Sequence, residues 1–273
     1  MRFWGVRGSI PSPGPATKRY GGNTPCVEVR CGDELLIFDL GSGARGLGDA
    51  LVATRKPVKA SIFISHYHYD HLQGLPFFSP MFSPANDVTL YGSPRDGKSL
   101  KQILAGQMVH PYFPVTAEEV FRTRLAYRDV VVGEDIPVGK ATVRTLELNH
   151  PGGNVGYRVD FGGRSLVYAT DVEHGTDLDA KLFDFARGAD ALIYDSMYTE
   201  DEYRGRNGPA RTGWGHSTWE AAVRAADASE VKQLVLFHHD PGRDDAGMDK
   251  LLREVRKHRK ATIAAKEAMV IQL

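Results

Sequence analysis

Ser61-Ile62-Phe63-Ile64-Ser65-His66-Tyr67-His68-Tyr69-Asp70-His71 joins a short apolar run to three imidazoles and a carboxylate within six residues. A run of this length and composition reads as a buried strand. A strand ending in such a cluster presents several metal-binding groups at one edge of a sheet. Imidazole and carboxylate together suit zinc, manganese or iron. Packing is a poor account of the cluster, because burying these groups unpaired is costly. The stretch therefore points to metal-assisted hydrolysis on a sheet-based fold.

Similar apolar runs, bounded by Gly and Pro, recur at residues 35–38, 88–91, 142–148, 157–161, 165–168, 191–194, 234–237 and 269–273, and all predict strands. Helical patterns cover 99–109, 179–187, 218–228 and 248–259, and Ser217 with Glu220 predicts a capping box on the third. Both element types are spread along the whole chain. That predicts one domain over residues 1–273, of α/β (α+β) class, with mixed sheets and outer helices. Segment 77–116 is rich in Pro, Gly and aromatics, and reads equally as a lid or contact surface and as an ordinary surface excursion.

The 34 Lys and Arg balance the 34 Asp and Glu, so no global field selects a polyanion. Cys26 and Cys31 are the only cysteines, and their spacing within an expected hairpin fits reduced thiols rather than a disulfide framework or a four-ligand zinc site. No apolar stretch reaches the roughly eighteen residues of a membrane span. The start, Met1-Arg2-Phe3-Trp4-Gly5, lacks a signal-peptide core, so a cytoplasmic protein with no membrane partner is expected. Gly41-Ser42-Gly43-Ala44-Arg45-Gly46 fits a dinucleotide-binding pattern, but His66 and its neighbours stand where that pattern wants an acidic residue. The basic run 250–260 carries Leu251, Leu252 and Val255 at positions for one buried helix face, which leaves its charges in solvent.

Four further places carry metal-binding residue types. His150 follows run 142–148, Asp171 follows run 165–168, His216 precedes a helix, and His238-His239 closes run 234–237. Such positions converge on sites in open sheets.

With these residues in hand, the chain resembles the metallo-β-lactamase superfamily over nearly its whole length. It is most similar to the phosphodiesterase branch, which includes RNase Z and the phosphoribosyl cyclic-phosphate phosphodiesterase. The hexad 66–71, His150, Asp171 and His238 resemble the superfamily's motif series. Phe3-Trp4-Gly5-Val6-Arg7-Gly8-Ser9, Ile37-Phe38-Asp39-Leu40-Gly41-Ser42-Gly43 and Gly215-His216-Ser217-Thr218 look like motifs of the branch. The resemblance implies a four-layer αββα sandwich with two divalent ions at one edge: zinc first, with manganese or iron as alternatives. It implies His66, His68 and His150 on one ion, Asp70, His71 and His238 on the other, and Asp171 bridging. It also implies that a hydroxide held by the pair attacks phosphorus, since each metal lowers the pKa of bound water from 15.7 toward roughly 7.

His216 is the expected general acid and Asp195 the group that orients and charges it; Asp70 counts with them as a catalytic candidate. Residue 195 is Asp where RNase Z usually has Glu, and the cyclic-phosphate branch is similar in using Asp. His239 competes with His238 for one ligand position, and the branch motif favours His238. The expected substrate is a small cyclic phosphodiester, such as a cyclic nucleotide. Zero net charge, the absence of a long tRNA-gripping insertion and an aromatic-rich segment 77–116 point that way. RNA 3′-end processing is the alternative, so a nucleic-acid partner is not favoured. Thioester, lactone or β-lactam hydrolysis is more remote, because it has less use for a His216–Asp195 pair, and so is a metal-loaded sensor. The resemblance further implies a homodimer, with segment 77–116 reaching the neighbouring subunit.

Overall fold

Strands buried on both faces need apolar residues at successive positions, and this chain supplies them. The computed structural model describes residues 1–206 and 208–273. It shows β1 (Arg2–Gly5), β2 (Cys26–Cys31), β3 (Glu34–Phe38), β4 (Lys59–Phe63), β5 (Asp87–Gly92) and β6 (Arg124–Asp129) side by side in one sheet. The second sheet holds β7 (Asp135–Val138), β8 (Ala141–Leu148), β9 (Asn154–Phe161), β10 (Arg164–Ala169), β11 (Ala191–Asp195), β12 (Gln233–Phe237) and β13 (Thr262–Ala264), again in chain order. Both sheets are mixed: β3 to β6 and β10 to β13 pair in parallel, and the remaining neighbours pair antiparallel.

Alternation along the strands sorts the side chains into three apolar layers. Leu36, Phe38 and Phe63 of the first sheet meet Tyr157, Tyr168, Ile193, Val235 and Phe237 of the second. The opposite faces bury Ile37 and Ile62 beneath α1 (Gly43–Ala53), and Leu192 and Leu236 beneath later helices. Short helices α2 (Tyr69–Leu72), α3 (Leu100–Ala105) and α4 (Ala117–Val120) follow on the first side. On the second side come α5 (Leu178–Ala186), α6 (Glu200–Tyr203), α7 (Trp219–Ala228) and α8 (Asp245–His258). The result is an αββα sandwich. Each fully buried Phe or Leu in these layers contributes roughly 1.5–3 kcal/mol.

Some sequence readings change. Residues 269–273 form no strand; Val270 makes only an isolated bridge to Arg2, and β13 lies just upstream. The cap of α7 is Thr218, whose side chain accepts from the Ala221 amide. Ser217 instead donates to Val172 O, and the Glu220 carboxylate accepts from the Glu200 amide, so there is no capping box there. Gly43–Ala53 form α1, a helix that the sequence pattern did not predict. Segment 77–116 contributes β5 to the sheet and buries Phe78, Met81 and Leu104, while Phe77 and Tyr112 stay exposed. Cys26 and Cys31 are buried free thiols. Among the described residues, no helix is long and apolar enough to cross a membrane.

Candidate metal centre

Every candidate on a strand leaves its C-terminal end: Asp39 after β3, the hexad after β4, His150 after β8, Asp171 after β10, Asp195 at the end of β11 and His238 after β12. The pairing directions bring these ends to one edge of the two sheets. Asp39, Asp171 and His238 turn inward there with φ of 60°, 52° and 58°. That left-handed conformation costs a non-glycine residue about 1–2 kcal/mol and is retained where surrounding contacts over-determine it. Asn154 Nδ2, for instance, donates to both Thr170 O and Asp171 O at 2.7 Å.

Two donor groups form. In the first, His66 Nε2 and His150 Nε2 each lie 3.0 Å from His68 Nδ1. His150 Nδ1 donates to Gly215 O at 2.8 Å, which assigns its inward nitrogen a free lone pair. In the second, His71 Nε2 is 3.3 Å from Asp70 Oδ2 and 3.2 Å from Asp171 Oδ1, and His238 Nε2 is 3.2 and 3.3 Å from the same atoms. Asp171 Oδ2 is 3.6 Å from His66 Nε2, so this carboxylate stands between the groups.

The core holds the site in place. His71 Nδ1 donates to Asp39 Oδ2 at 2.8 Å, and Asp39 also accepts from Ser65 N, Ser65 Oγ and the Tyr168 hydroxyl. Tyr168 comes from the opposite sheet and packs 5.4 Å from the Phe38 ring. The apolar layer between the sheets therefore ends in hydrogen bonds that fix a ring of the site.

The donor set fits divalent cations. Asp39, Asp70, Asp171 and Asp195 are at most 5% exposed, and among the described residues no Lys or Arg pairs with them. Buried carboxylates in such number call for positive charge. Burial alone would lower the His71 pKa, yet Asp171, Asp70 and Asp39 pull it well above its usual value. His71 Nε2 is nevertheless buried without a hydrogen-bond partner. The ligand atoms of His66, His68 and His150 lie within 4.8 Å of one another, as do those of Asp70, His71, Asp171 and His238. Five imidazoles and two carboxylates suit two ions of borderline hardness.

Asp171, Asp195, His216 and His238 also cluster within that distance, but His216 Nδ1 is already engaged, 2.8 Å from Asp195 Oδ2. Burial pulls the His216 pKa down, and the charge and hydrogen bond of Asp195 outweigh it, leaving it at about 9. Gly215 delivers this residue: at φ 85° its Cα approaches His150 so closely that an added Cβ would sit 2.2 Å from His150 Nδ1.

Glu173 is a residue that sequence reasoning missed. It accepts from the Gly213 amide at 2.6 Å, the Gly215 amide at 2.8 Å and the Tyr203 hydroxyl at 2.7 Å. It thereby fixes the loop that carries His216 and supports His150. No motif marks it. Asp39 was legible only as part of a motif, although it ends an apolar run just as Asp171 does. His239 points away from the cluster, donates from Nε2 to Ala265 O at 2.8 Å and packs edge-on against Tyr20.

The sequence matches the Beta-lactamase superfamily domain over residues 39–239. The Ribonuclease Z of Pyrococcus furiosus is 23% identical, over 88% of this chain and 85% of that protein. The metallo-beta-lactamase fold protein YhfI of Bacillus subtilis superimposes with a TM-score of 0.74 at 20% identity, over 98% of this chain and 96% of that one. A structure described as a diphosphatase from the PhnP family gives 0.72 at 20% identity, over 100% and 96%. These structural likenesses show the fold.

Proposed function

The chain belongs to the beta-lactamase superfamily as a metal-dependent hydrolase, and on that footing we propose that it cleaves a small cyclic phosphodiester at a dinuclear centre. The observation that carries this reading is the His216–Asp195 pair beside the donor cluster. Acyl hydrolysis has little need of such a pair; expulsion of an alkoxide needs a proton donor.

His66, His68 and His150 would hold one cation and Asp70, His71 and His238 the other, with Asp171 between; zinc suits the imidazole-rich set. Two divalent cations supply Lewis-acid activation of water and neutralise charge on phosphate oxygens. The chain's own groups do the rest. Asp195 takes His216 Nδ1, which leaves the proton for the leaving oxygen on Nε2. Asp70 is kept ionised: burial would raise its pKa, but His71 and His238 hold it far below the usual carboxylate range. The Ser9 amide donates to Asp70 Oδ2 at 2.8 Å and sets its orientation. Tyr69 and Trp214, 81% and 57% exposed, flank the mouth as surfaces on which a base can stack.

The Ribonuclease Z relatives favour a second reading, cleavage of RNA 3′ ends by the same chemistry. Turnover of bis(p-nitrophenyl) phosphate with added zinc or manganese tests the shared chemistry, and failure across several metals would end both readings. Cyclic mononucleotides assayed against a tRNA precursor then divide them. Cleavage of the RNA alone would overturn the first.

A further inference from the structure

Residues 7–9, where the chain leaves β1, rest on two ligands of the same ion. The Ser9 amide donates to Asp70 Oδ2 at 2.8 Å, from a left-handed backbone with φ of 61°. Gly8 packs against His238 so closely that an added Cβ would sit 2.4 Å from both Cε1 and Nδ1 of that ring. His238 depends on this contact. A ligating imidazole ordinarily donates its second N–H to a fixed acceptor. Among the described residues, His238 Nδ1 is buried without a hydrogen-bond partner; Asp195 Oδ2, 3.9 Å away, is taken by His216. Packing orients the ring instead, with Gly8 beside Nδ1 and the His216 ring stacked at 4.8 Å.

Arg7 fixes the turn. Its side chain is fully buried and grips main chain: Nε donates to Gly21 O at 2.8 Å, and Nη1 donates to Asp240 O at 3.0 Å and Arg243 O at 2.7 Å. The backbone adds Gly8 N to His239 O and His239 N to Val6 O, both at 2.9 Å. Residues 6–8 are thereby tied to the segment that follows His238. A rigid fork of donors spans several carbonyls at once, which an ammonium on a flexible stem does not reproduce. The remaining ligand of this ion, His71, is held by Asp39. The other group takes its support elsewhere, His66 beside Ser65 Oγ at 3.1 Å and His150 on Gly215 O at 2.8 Å.

We propose that the turn 7–9, locked by Arg7, is a positioning device that sets the occupancy of the Asp70–His71–His238 ion separately from that of its neighbour. The proposal rests on the dinuclear reading and adds to it which of the two ions the chain can lose first, and through which residues. The backbone of Ser9 and the bare Cα of Gly8 carry the effect, not the Ser9 hydroxyl.

The test reads two zinc dissociation constants by competition with a chromophoric chelator. Electron paramagnetic resonance of the manganese-loaded protein then separates a spin-coupled pair from isolated ions. Gly8→Ala and Arg7→Lys are expected to raise one constant about tenfold or more, to leave the other within about twofold, and to replace the coupled spectrum with that of isolated manganese. Ser9→Gly keeps the amide and the left-handed backbone and should hold both constants at the wild-type values. Val255→Ala, a cavity under α8 remote from the turn, lowers stability and should also leave both unchanged. If Arg7→Lys fails to fold, Gly8→Ala decides alone. Equal weakening of both ions, no weakening of either, or an effect as large in Val255→Ala would overturn the proposal. A wild-type protein that takes up a single ion would instead overturn the dinuclear reading beneath it.

Discussion

His216, His238 and His239 are all buried imidazoles, yet their neighbours assign them different work. His216 is spoken for by Asp195 on one nitrogen, His238 faces Asp70 and Asp171, and His239 faces a backbone carbonyl. Replacing His216 with Ala is expected to lower kcat by about a hundredfold or more while metal content, measured by elemental analysis, stays at the wild-type value. His238→Ala should lose bound metal, whereas His239→Ala should keep the metal and lower the unfolding temperature. Loss of metal from the His216 variant would make that residue a ligand instead.

Glu173 gives a pH-dependent case. Burial would raise its pKa, but the Gly213 amide, the Tyr203 hydroxyl and the Gly215 amide together hold it below the usual value. A carboxyl depressed on folding adds stability above its unfolded pKa of about 4.3, and that stability is lost as pH falls through the folded value. Glu173→Gln should therefore cost about 2 kcal/mol near pH 7, with the gap to wild type closing in acid. A gap constant from pH 7 to pH 3 in thermal unfolding would refute the assignment.

Among the elements, α7 begins at Thr218, and Thr218→Ala should destabilise the protein by about 1 kcal/mol in urea unfolding. The sequence pattern Ser-x-x-Glu misplaced this cap by one residue because both side chains it relied on are drawn elsewhere, Ser217 to Val172 and Glu220 to Glu200. Strands buried on both faces were legible as unbroken apolar runs. Edge strands β6 and β7 were not, since Arg124-Leu125-Ala126-Tyr127-Arg128-Asp129 exposes most of one face and Pro137 interrupts the other strand. Helix α1 escaped notice because Gly43, Gly46 and Gly48 dilute its pattern; the packing of Ala44, Leu47 and Leu51 on the sheet sustains it instead.

Across the whole molecule, the centre unites the two sheets. Asp39 and the hexad come from the first, and His150, Asp171, Asp195 and His238 from the second. The hexad could be read because its members are neighbours in sequence. Glu173 and the support of Asp39 by Tyr168 could not, because those contacts exist only once the sheets are stacked. Stripping the metal with a chelator should lower the unfolding temperature, and restoring it at a hundred times its dissociation constant should return about 2.7 kcal/mol per site. An unchanged transition in differential scanning calorimetry would contradict a bridge between the sheets.

The crossing between the sheets at Val131-Val132-Gly133 is the short turn that separates β6 from β7, with Val131 and Gly133 exposed and Val132 resting partly on the core. A protease nick there would leave each fragment with only part of the ion-binding set. Metal capture would then require two pieces to collide, so loading would become second order in protein, and the bound metal would act as the solder in a split-reporter assay.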